Sequence, residues 1–405
     1  MTTLETVLRR PAVAAAGAVI ALALALWQVS GAPIVDLDVY RAGGEAWLTG
    51  RNLFDEEFPP RPLVYPLPFI YPPISAVLFS VLTVLPLEAL GYLMATATVL
   101  ALLATCVVVA RHSGMDRAAA LGLGGVVCAL SVLSEPVRGT IDLGQINVLL
   151  MALVVADCLL PRTPWPRGLL IGIAAGIKLT PAIFVLYFIA SGRWRVALTI
   201  VTSFVGTIAL GFALAAEDSA RYWFSTVFTI DNMVGAGFVT NQSIRGVLAR
   251  FGLDKAQVFP LWAAGVAIVL AVAWFAMRRL LSVGAELPAV LVIAAAGLLC
   301  SPISWSNHWV WVAAAATGLA VAVARKPRWS LIGPGLAVLV LFLGPHQYVP
   351  SGHGAELTWT GITWLSGNAF FLTAVAGLVT TAVVTARRRR PPGVPPRPRY
   401  AHQSN

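Results

Sequence analysis

Twelve apolar runs alternate with polar stretches along this chain, and that alternation limits its fold more than any other feature. They occupy residues 12–29, 72–86, 89–110, 117–134, 147–160, 168–190, 196–216, 258–277, 287–300, 309–324, 331–344 and 367–386. Each approaches the roughly 20 residues that carry a helix across a bilayer. Among 405 residues 58% are hydrophobic and 11% charged, whereas a soluble globule carries about a quarter charged residues. Only helices and closed barrels satisfy every backbone group in lipid, so runs of this length predict an all-α polytopic membrane protein.

The net charge of +10 does not point to nucleic acid. Lys and Arg lie in short clusters between apolar runs, at Arg9-Arg10, Arg193-Trp194-Arg195, Arg278-Arg279, Arg325 to Arg328 and Arg387 to Arg390. This is the positive-inside bias of cytoplasmic loops, not a basic face. An even number of crossings puts both termini in the cytoplasm and the polar stretches 30–71, 217–257, 301–308 and 345–366 outside. The run 168–190 leaves two readings open. It is one span, or Gly176-Ile177-Lys178-Leu179-Thr180-Pro181 breaks it into two half-helices, because Pro stops a helix and Lys does not sit free in lipid.

Arg9-Arg10 before the first run resembles a signal peptide, with Val29-Ser30-Gly31 as a tolerable cleavage context. The many later spans favour an uncleaved anchor. Cys106, Cys128, Cys158 and Cys300 sit within or at the end of apolar runs as small packing residues. Residues 1–386 are expected to form one transmembrane domain, and 387–405, basic and Pro-rich, a disordered cytoplasmic tail. Residues 41–50 can form an amphipathic interfacial helix, followed by an extended loop rich in Pro between Pro59 and Pro73.

The chemistry is sought in the polar stretches. Asp36 and Asp38 follow the first apolar run. On an extended chain they share a side, and on a helix they diverge by about 200°. They serve either as solvating groups at the end of a span or as a general base taking a proton from an attacking hydroxyl. Lys178 either snorkels to a headgroup or meets a lipid-linked phosphate. Asn241-Gln242-Ser243-Ile244-Arg245 offers amides and a hydroxyl that can orient a sugar, yet Ser243 reads equally as a helix cap. Gln145 and Asn147 in Gly144-Gln145-Ile146-Asn147 pose the same choice. His308 lies between Trp305, Asn307 and Trp309, either packed or beside an aromatic sugar platform. His346, His353 and Glu356 match no metal spacing and read as solvated loop residues. No phosphate-binding Gly loop, nucleophile elbow or selectivity filter is present, and no Rossmann-like domain exists to hold a nucleotide sugar. A sugar donor for this chain is therefore expected to be lipid-borne.

Six stretches occur in order: VDLDVYRAGGEAWLTGRNLF, FIYPPISAVLF, GQINVLLMALVVAD, GIKLTPAIFVLY followed by GRWR, NQSIRGVLAR, and SPISWSNHWVW. Together they resemble glycosyltransferase family 87, the polyprenyl-phosphate-mannose-dependent α-(1→2)-mannosyltransferases of GT-C architecture. The resemblance runs from about Val35 to Trp311. It implies a GT-C fold with about 12 transmembrane helices and interfacial helices in the first outer loop. It also implies transfer of mannose, with inversion, from polyprenyl-phosphate-mannose to a mannosylated lipid or lipoglycan such as a phosphatidylinositol mannoside, lipomannan or lipoarabinomannan. By the same resemblance Asp36 is the base, and His308, which matches the second His of the family's Ser-Pro-Ile-Ser-Trp-x-His-His motif, is a second catalytic group that, if protonated, stabilises the charge developing on the leaving phosphate. Lys178 matches the Lys before its Thr-Pro. The first motif His is Asn307 here. Substrate contacts are expected from Asp38, Tyr40, Arg41, Gln145, Asn147, Lys178, Asn241, Gln242, Arg245 and Asn307, with no metal and no cofactor beyond the donor. The expected partners are membrane lipid, the polyprenyl-phosphate sugar and a glycolipid acceptor, with no nucleic acid. The rivals are a transferase of another lipid-linked sugar, such as arabinofuranose, and a flippase for a polyprenyl-linked sugar.

Overall fold

The computed structural model describes residues 3–55, 58–229, 235–325 and 328–387. Apart from Arg387, the expected cytoplasmic tail lies outside them. Helices run through the chain as α1 (Thr3–Leu8), α2 (Pro11–Val29), α3 (Val35–Leu48), α4 (Pro73–Phe79), α5 (Leu87–His112), α6 (Arg117–Val132), α7 (Glu135–Leu143), α8 (Asn147–Leu159), α9 (Leu169–Ile177), α10 (Val185–Ala190), α11 (Trp194–Leu214) and α12 (Ala216–Phe224). The series continues with α13 (Ile244–Ala249), α14 (Lys255–Ser282), α15 (Glu286–Cys300), α16 (Val312–Arg325), α17 (Ile332–Leu343), α18 (Gly361–Gly367) and α19 (Ala369–Arg387). Among the described residues the only β pairing is one antiparallel bridge, Asn241 to Trp305.

All twelve apolar runs are helical over most of their length. Five helices, α2, α5, α11, α14 and α19, are long and apolar enough to cross a bilayer. A sixth crossing follows if α6 and α7, bent by 71° to each other, count together. The other runs are shorter apolar helices, several continued by a 3₁₀ turn. Leu100, Leu198 and Ile268 are 62%, 62% and 65% exposed on the long helices, where a soluble protein would present charge. Such surfaces are at home in lipid, and the chain is a multi-pass membrane protein.

Helix ends follow local chemistry. Pro11 opens α2, where its missing N–H is not needed. Asp116 caps α6 by accepting from the N–H groups of Ala118 and Ala119, and Asp254 with Gln257 forms a capping box on α14. In lipid, helices associate through close backbone approach at small residues. Accordingly α2 crosses α6 where Gly17 meets Gly125, and a side chain at Gly17 would land on the Gly125 backbone. At Gly125 an added Cβ would stand 2.8 Å from the Ala14 carbonyl oxygen.

This crossing supplies a direct test. Gly125→Val is expected to destabilise the folded protein by about 1–3 kcal/mol through overpacking, read as a lower thermal melting point in detergent. Substitution at Gly377, where nothing lies within 4 Å of the added carbon, is expected to leave it unchanged.

Candidate active site

The chain leaves α2 and enters α3 through Ile34, whose φ of 36° is left-handed and strained for a β-branched residue. Its N–H donates to the carbonyl of Asp142 at 3.0 Å, so the strain is held by α7. Helix α3 then begins at Val35, earlier than the expected interfacial helix at 41–50, and it contains both aspartates in its first turn. Asp36 and Asp38 consequently diverge instead of sharing a side. Asp38, 1% exposed, accepts from Arg61 Nη2 at 2.6 Å and from the Val64 N–H at 2.9 Å. Arg61 also donates to Glu45 at 3.0 Å. Asp38, expected to touch substrate, instead clamps the Pro-rich loop onto α3.

Asp36 turns toward the polar cluster around Lys178. Helix α9 ends at Ile177, Lys178 is extended at φ −149° and ψ 125°, and Pro181 opens the following 3₁₀ turn, Thr180–Phe184. The half-helix reading of 168–190 therefore describes the chain. Breaking a helix frees carbonyls, and that of Ile177 is met by the Ser75 hydroxyl at 2.8 Å. The Lys178 ammonium donates to Asn147 Oδ1 at 2.9 Å and more weakly to Gln145 Oε1 at 3.5 Å. It stands 3.1 Å from His308 Nε2 and over the Tyr71 ring at 5.7 Å.

Around this cation the remaining groups are tied to one another. Tyr40 donates to Gln145 Oε1 at 2.6 Å, while Gln145 Nε2 donates to the Tyr71 hydroxyl at 3.2 Å. Asn147 Nδ2 donates to the Asn307 carbonyl at 2.9 Å, which also accepts from Thr140 at 2.9 Å. Gly144, left-handed at φ 69°, ends α7 and turns the chain so that Gln145 and Asn147 face the cluster. An added carbon at Gly144 would meet Leu37 Cβ at 2.6 Å, so glycine also admits α3.

The electrostatics separate the roles. Burial raises the Asp36 carboxyl to about 6, opposed by its hydrogen bond with Gln145 and by the Lys178 charge. Burial, then the Lys178 ammonium, holds His308 well below the usual imidazole range. His308 is thus neutral, its Nε2 accepting from Lys178 and its proton on Nδ1, which is buried without a partner. A protonated His308 stabilising negative charge, as considered from the sequence, does not fit this arrangement.

Asp36, Tyr40, Gln145, Asn147, Lys178 and His308, spread over 273 positions of sequence numbering, are thus brought together. Other expected contacts are not. Asn241 donates to the carbonyls of Ala236 and Pro302 and accepts from the Ser304 N–H. Gln242 donates to the carbonyls of Val239 and Gly367 and accepts from the N–H groups of Phe370 and Phe371. Both are 0% exposed with their amides fully engaged, so neither faces a sugar; Asn241 holds the chain that leads to His308, and Gln242 ties Val239 to the start of α19. Ser243 is the helix cap, accepting from the Gly246 N–H. Arg245 lies over the Trp262 ring, and Arg41 is half-buried with its Nε making no hydrogen bond. The Asn307 amide is buried without a partner, and the contacts of this residue to the cluster run through its carbonyl.

Sequence reasoning missed Tyr71 and Glu135. Tyr71 sits in the FIYPP stretch, where no local pattern singles it out. Glu135 accepts from Ser306 at 2.6 Å and lies 3.5 Å from His346 Nε2, both from distant parts of the chain. His346, 0% exposed, and Glu356, which accepts from the Gly352 and Val239 N–H groups, are buried structural groups; solvated loop residues they are not. Of the three only His353 is exposed. No group of three or more His, Cys, Asp or Glu among the described residues could hold a metal ion.

Residues 69–302 match the model of glycosyltransferase family 87. The chain belongs to that family. It is similar, at 37% identity over 94% of its length and 93% of the relative's, to a polyprenol-phosphate-mannose-dependent α-(1-2)-phosphatidylinositol mannoside mannosyltransferase of Mycobacterium tuberculosis. A protein of the same name from Mycolicibacterium smegmatis is 39% identical over 86% of this chain and 84% of the relative. A pentamannoside mannosyltransferase of M. tuberculosis is 33% identical over 89% of this chain and 83% of its own length. No solved structure matches. This family-87 protein is a glycosyltransferase.

In this family-87 enzyme the two aspartates separate by experiment. Arg61→Ala leaves Asp38 buried without its cation and is expected to destabilise the fold by about 2–3 kcal/mol, below the usual cost because Arg61 is 26% exposed. Asp36→Asn removes a carboxylate whose charge burial opposes, so the melting point is expected to hold or rise. A fall for Asp36→Asn matching that for Arg61→Ala would contradict the division.

Proposed function

We propose that the enzyme transfers mannose from polyprenyl-phosphate-mannose to a 2-hydroxyl of mannose on a phosphatidylinositol mannoside, forming an α-(1→2) linkage with inversion. The relatives' names give the polyprenol-phosphate-mannose donor, the α-(1-2) linkage and the phosphatidylinositol mannoside. The observation that carries the reading is the meeting of Asp36 with the Lys178 ammonium in one half-buried cluster at a broken helix. A carboxylate and a lone cation suit a displacement in which a hydroxyl loses a proton and a phosphate leaves.

The step balances with these two groups. The acceptor oxygen attacks the anomeric carbon as Asp36 takes its proton, and the bond from that carbon to the phosphate oxygen breaks with its electron pair on the phosphate. Inversion requires base and leaving group on opposite faces of the sugar, as in inverting glycosidases. Lys178 meets the charge that develops on the phosphate, so no acid is needed to protonate it. Neutral His308 and Asn147 hold the ammonium in place. In this reading the helical runs form a GT-C fold with fewer than twelve crossings, since twelve would put Gln145 on the inner side and Asp36, to which it is hydrogen-bonded, on the outer. The cluster faces the outer side of the cytoplasmic membrane, because the basic loops mark the inner side.

Measurements on purified protein given polyprenyl phosphomannose and a mannoside acceptor test the assignment. Asp36→Asn is expected to lower kcat by about 10²–10⁴ with donor binding retained, and undiminished turnover would remove the base. With the carboxyl raised to about 6, activity is expected to fall about tenfold per unit as the pH drops below that value. A limb near 4, the ordinary carboxylate range, would mean that Asp36 is not the titrating group. Lys178→Ala is expected to weaken donor affinity more than acceptor affinity. Product linkage analysis separates a phosphatidylinositol mannoside acceptor from a longer one, and transport without a new glycosidic bond would favour a flippase.

A further inference from the structure

Helix α7 grips the 3₁₀ turn Ser306–His308 at two points. Glu135, in the first turn of α7, accepts from the Ser306 hydroxyl at 2.6 Å, and Thr140 donates to the Asn307 carbonyl at 2.9 Å. Gly139 lies one helical turn from Glu135 on the same face and lets the chain approach; an added carbon there would stand 3.4 Å from Asn307 Cβ. His346 Nε2, from the loop after α17, stands 3.5 Å from the same carboxylate. Glu135 has no part in the displacement above. An acid that merely favours a helix N-terminus can stay in water. This one is 5% exposed, and its Oε2 is buried with no hydrogen bond. Burying a carboxylate so incompletely paired costs stability, so the fold alone would be better served by an apolar residue of that size.

We infer that Glu135 is a positioning residue for the transfer step: through Ser306 it fixes the turn from which His308 meets the Lys178 ammonium. The inference rests on the reading of the Lys178 cluster as the reacting centre and adds what sets its geometry. The path is short. His308 Nε2 stands 3.1 Å from Lys178 Nζ, and the Asn307 carbonyl aims Asn147 at the same ammonium. Two partners of the cation thus hang on residues 306–308. A turn free to shift by about 1 Å would carry them, and the cation with them, out of line with the leaving phosphate.

A double-mutant cycle separates this role from a structural one. In the purified full-length enzyme given polyprenyl phosphomannose and a mannoside acceptor, Glu135→Ala is expected to lower kcat per folded molecule at least ~10-fold, with acceptor KM within ~3-fold. Glu135→Gln keeps an oxygen for the Ser306 hydroxyl and is expected to restore most of that loss. In a His308→Ala background Glu135→Ala is expected to cost less than ~3-fold more, because no ring is left to place. A purely structural glutamate would lower the folded yield and leave kcat per folded molecule unchanged, and that result would overturn the inference. So would losses that multiply in full in the double variant, or a Gln variant as impaired as the Ala one. Should Glu135→Ala not fold, Ser306→Ala removes the same hydrogen bond and enters the same cycle. A His308→Ala enzyme with full kcat would instead refute the reading of the Lys178 cluster, and this inference with it.

Discussion

A lysine inside an apolar run must be paired or hydrogen-bonded, because an isolated charge moved out of water costs far more than a folded protein has to spare. Lys178 meets that demand with neutral partners: the carbonyl oxygens of Asn147 and Gln145, the unprotonated nitrogen of His308 and the face of Tyr71. These come from the start of α8, the His308 turn and the loop before α4. The cation therefore draws several separate pieces of chain to one point. Its position also follows from backbone chemistry, since Pro181 stops α9 from continuing and Ser75 meets the carbonyl left free at Ile177.

Neutral partners have a functional consequence. A carboxylate in direct contact would already neutralise Lys178 and compete with an incoming phosphate. Asp36 acts on the ammonium only through its field, with Gln145 hydrogen-bonded to it and reaching the ammonium too. In the proposed displacement the carboxylate and the cation are thus close enough to serve one step and are not consumed in an ion pair with each other. Asp38, two residues on, forms the strong ion pair instead, with Arg61. One turn of helix gives two nearby aspartates different surroundings, one beside the Lys178 cluster and one paired with Arg61, because positions two apart on a helix point to opposite sides.

How much of this is legible in the sequence depends on the range of the interaction. Local rules reach far: the apolar runs become helices, Gly176 to Pro181 becomes a break, and Ser243 becomes a cap. Pairings across the chain are not written locally. Nothing near Asn241 or Gln242 reveals that their amides meet the carbonyl of Pro302, the N–H of Ser304 and the start of α19, so polar side chains in a loop read as free to meet a ligand. His346 and Glu356 mislead in the same way: their loop looks solvated until Phe370 and Glu135 are packed against one and backbone N–H groups against the other. The register of Asp36 against Asp38 was also hidden, since the helical or extended state of 35–40 decides it and the strained Ile34 that starts the helix is held by α7.

Asn307 shows how a motif can change without losing its place in the site. The family motif has histidine at that position, and the resemblance alone would suggest a lost imidazole. In the folded chain the contacts of residue 307 with the cluster are made by its carbonyl oxygen, which accepts from both Thr140 and Asn147. A carbonyl is common to every residue type, so the hydrogen bond that aims Asn147 at Lys178 survives the exchange. What the side chain at 307 does is confined to a buried space beside Gly139, whose missing Cβ would stand 3.4 Å from Asn307 Cβ. The neighbouring His308 has no such freedom: its ring nitrogen, not its backbone, is what meets the ammonium. The two positions of the motif thus differ in kind, one meeting the cluster through its main chain and the other through its side chain, and only at the second does that contact need an imidazole.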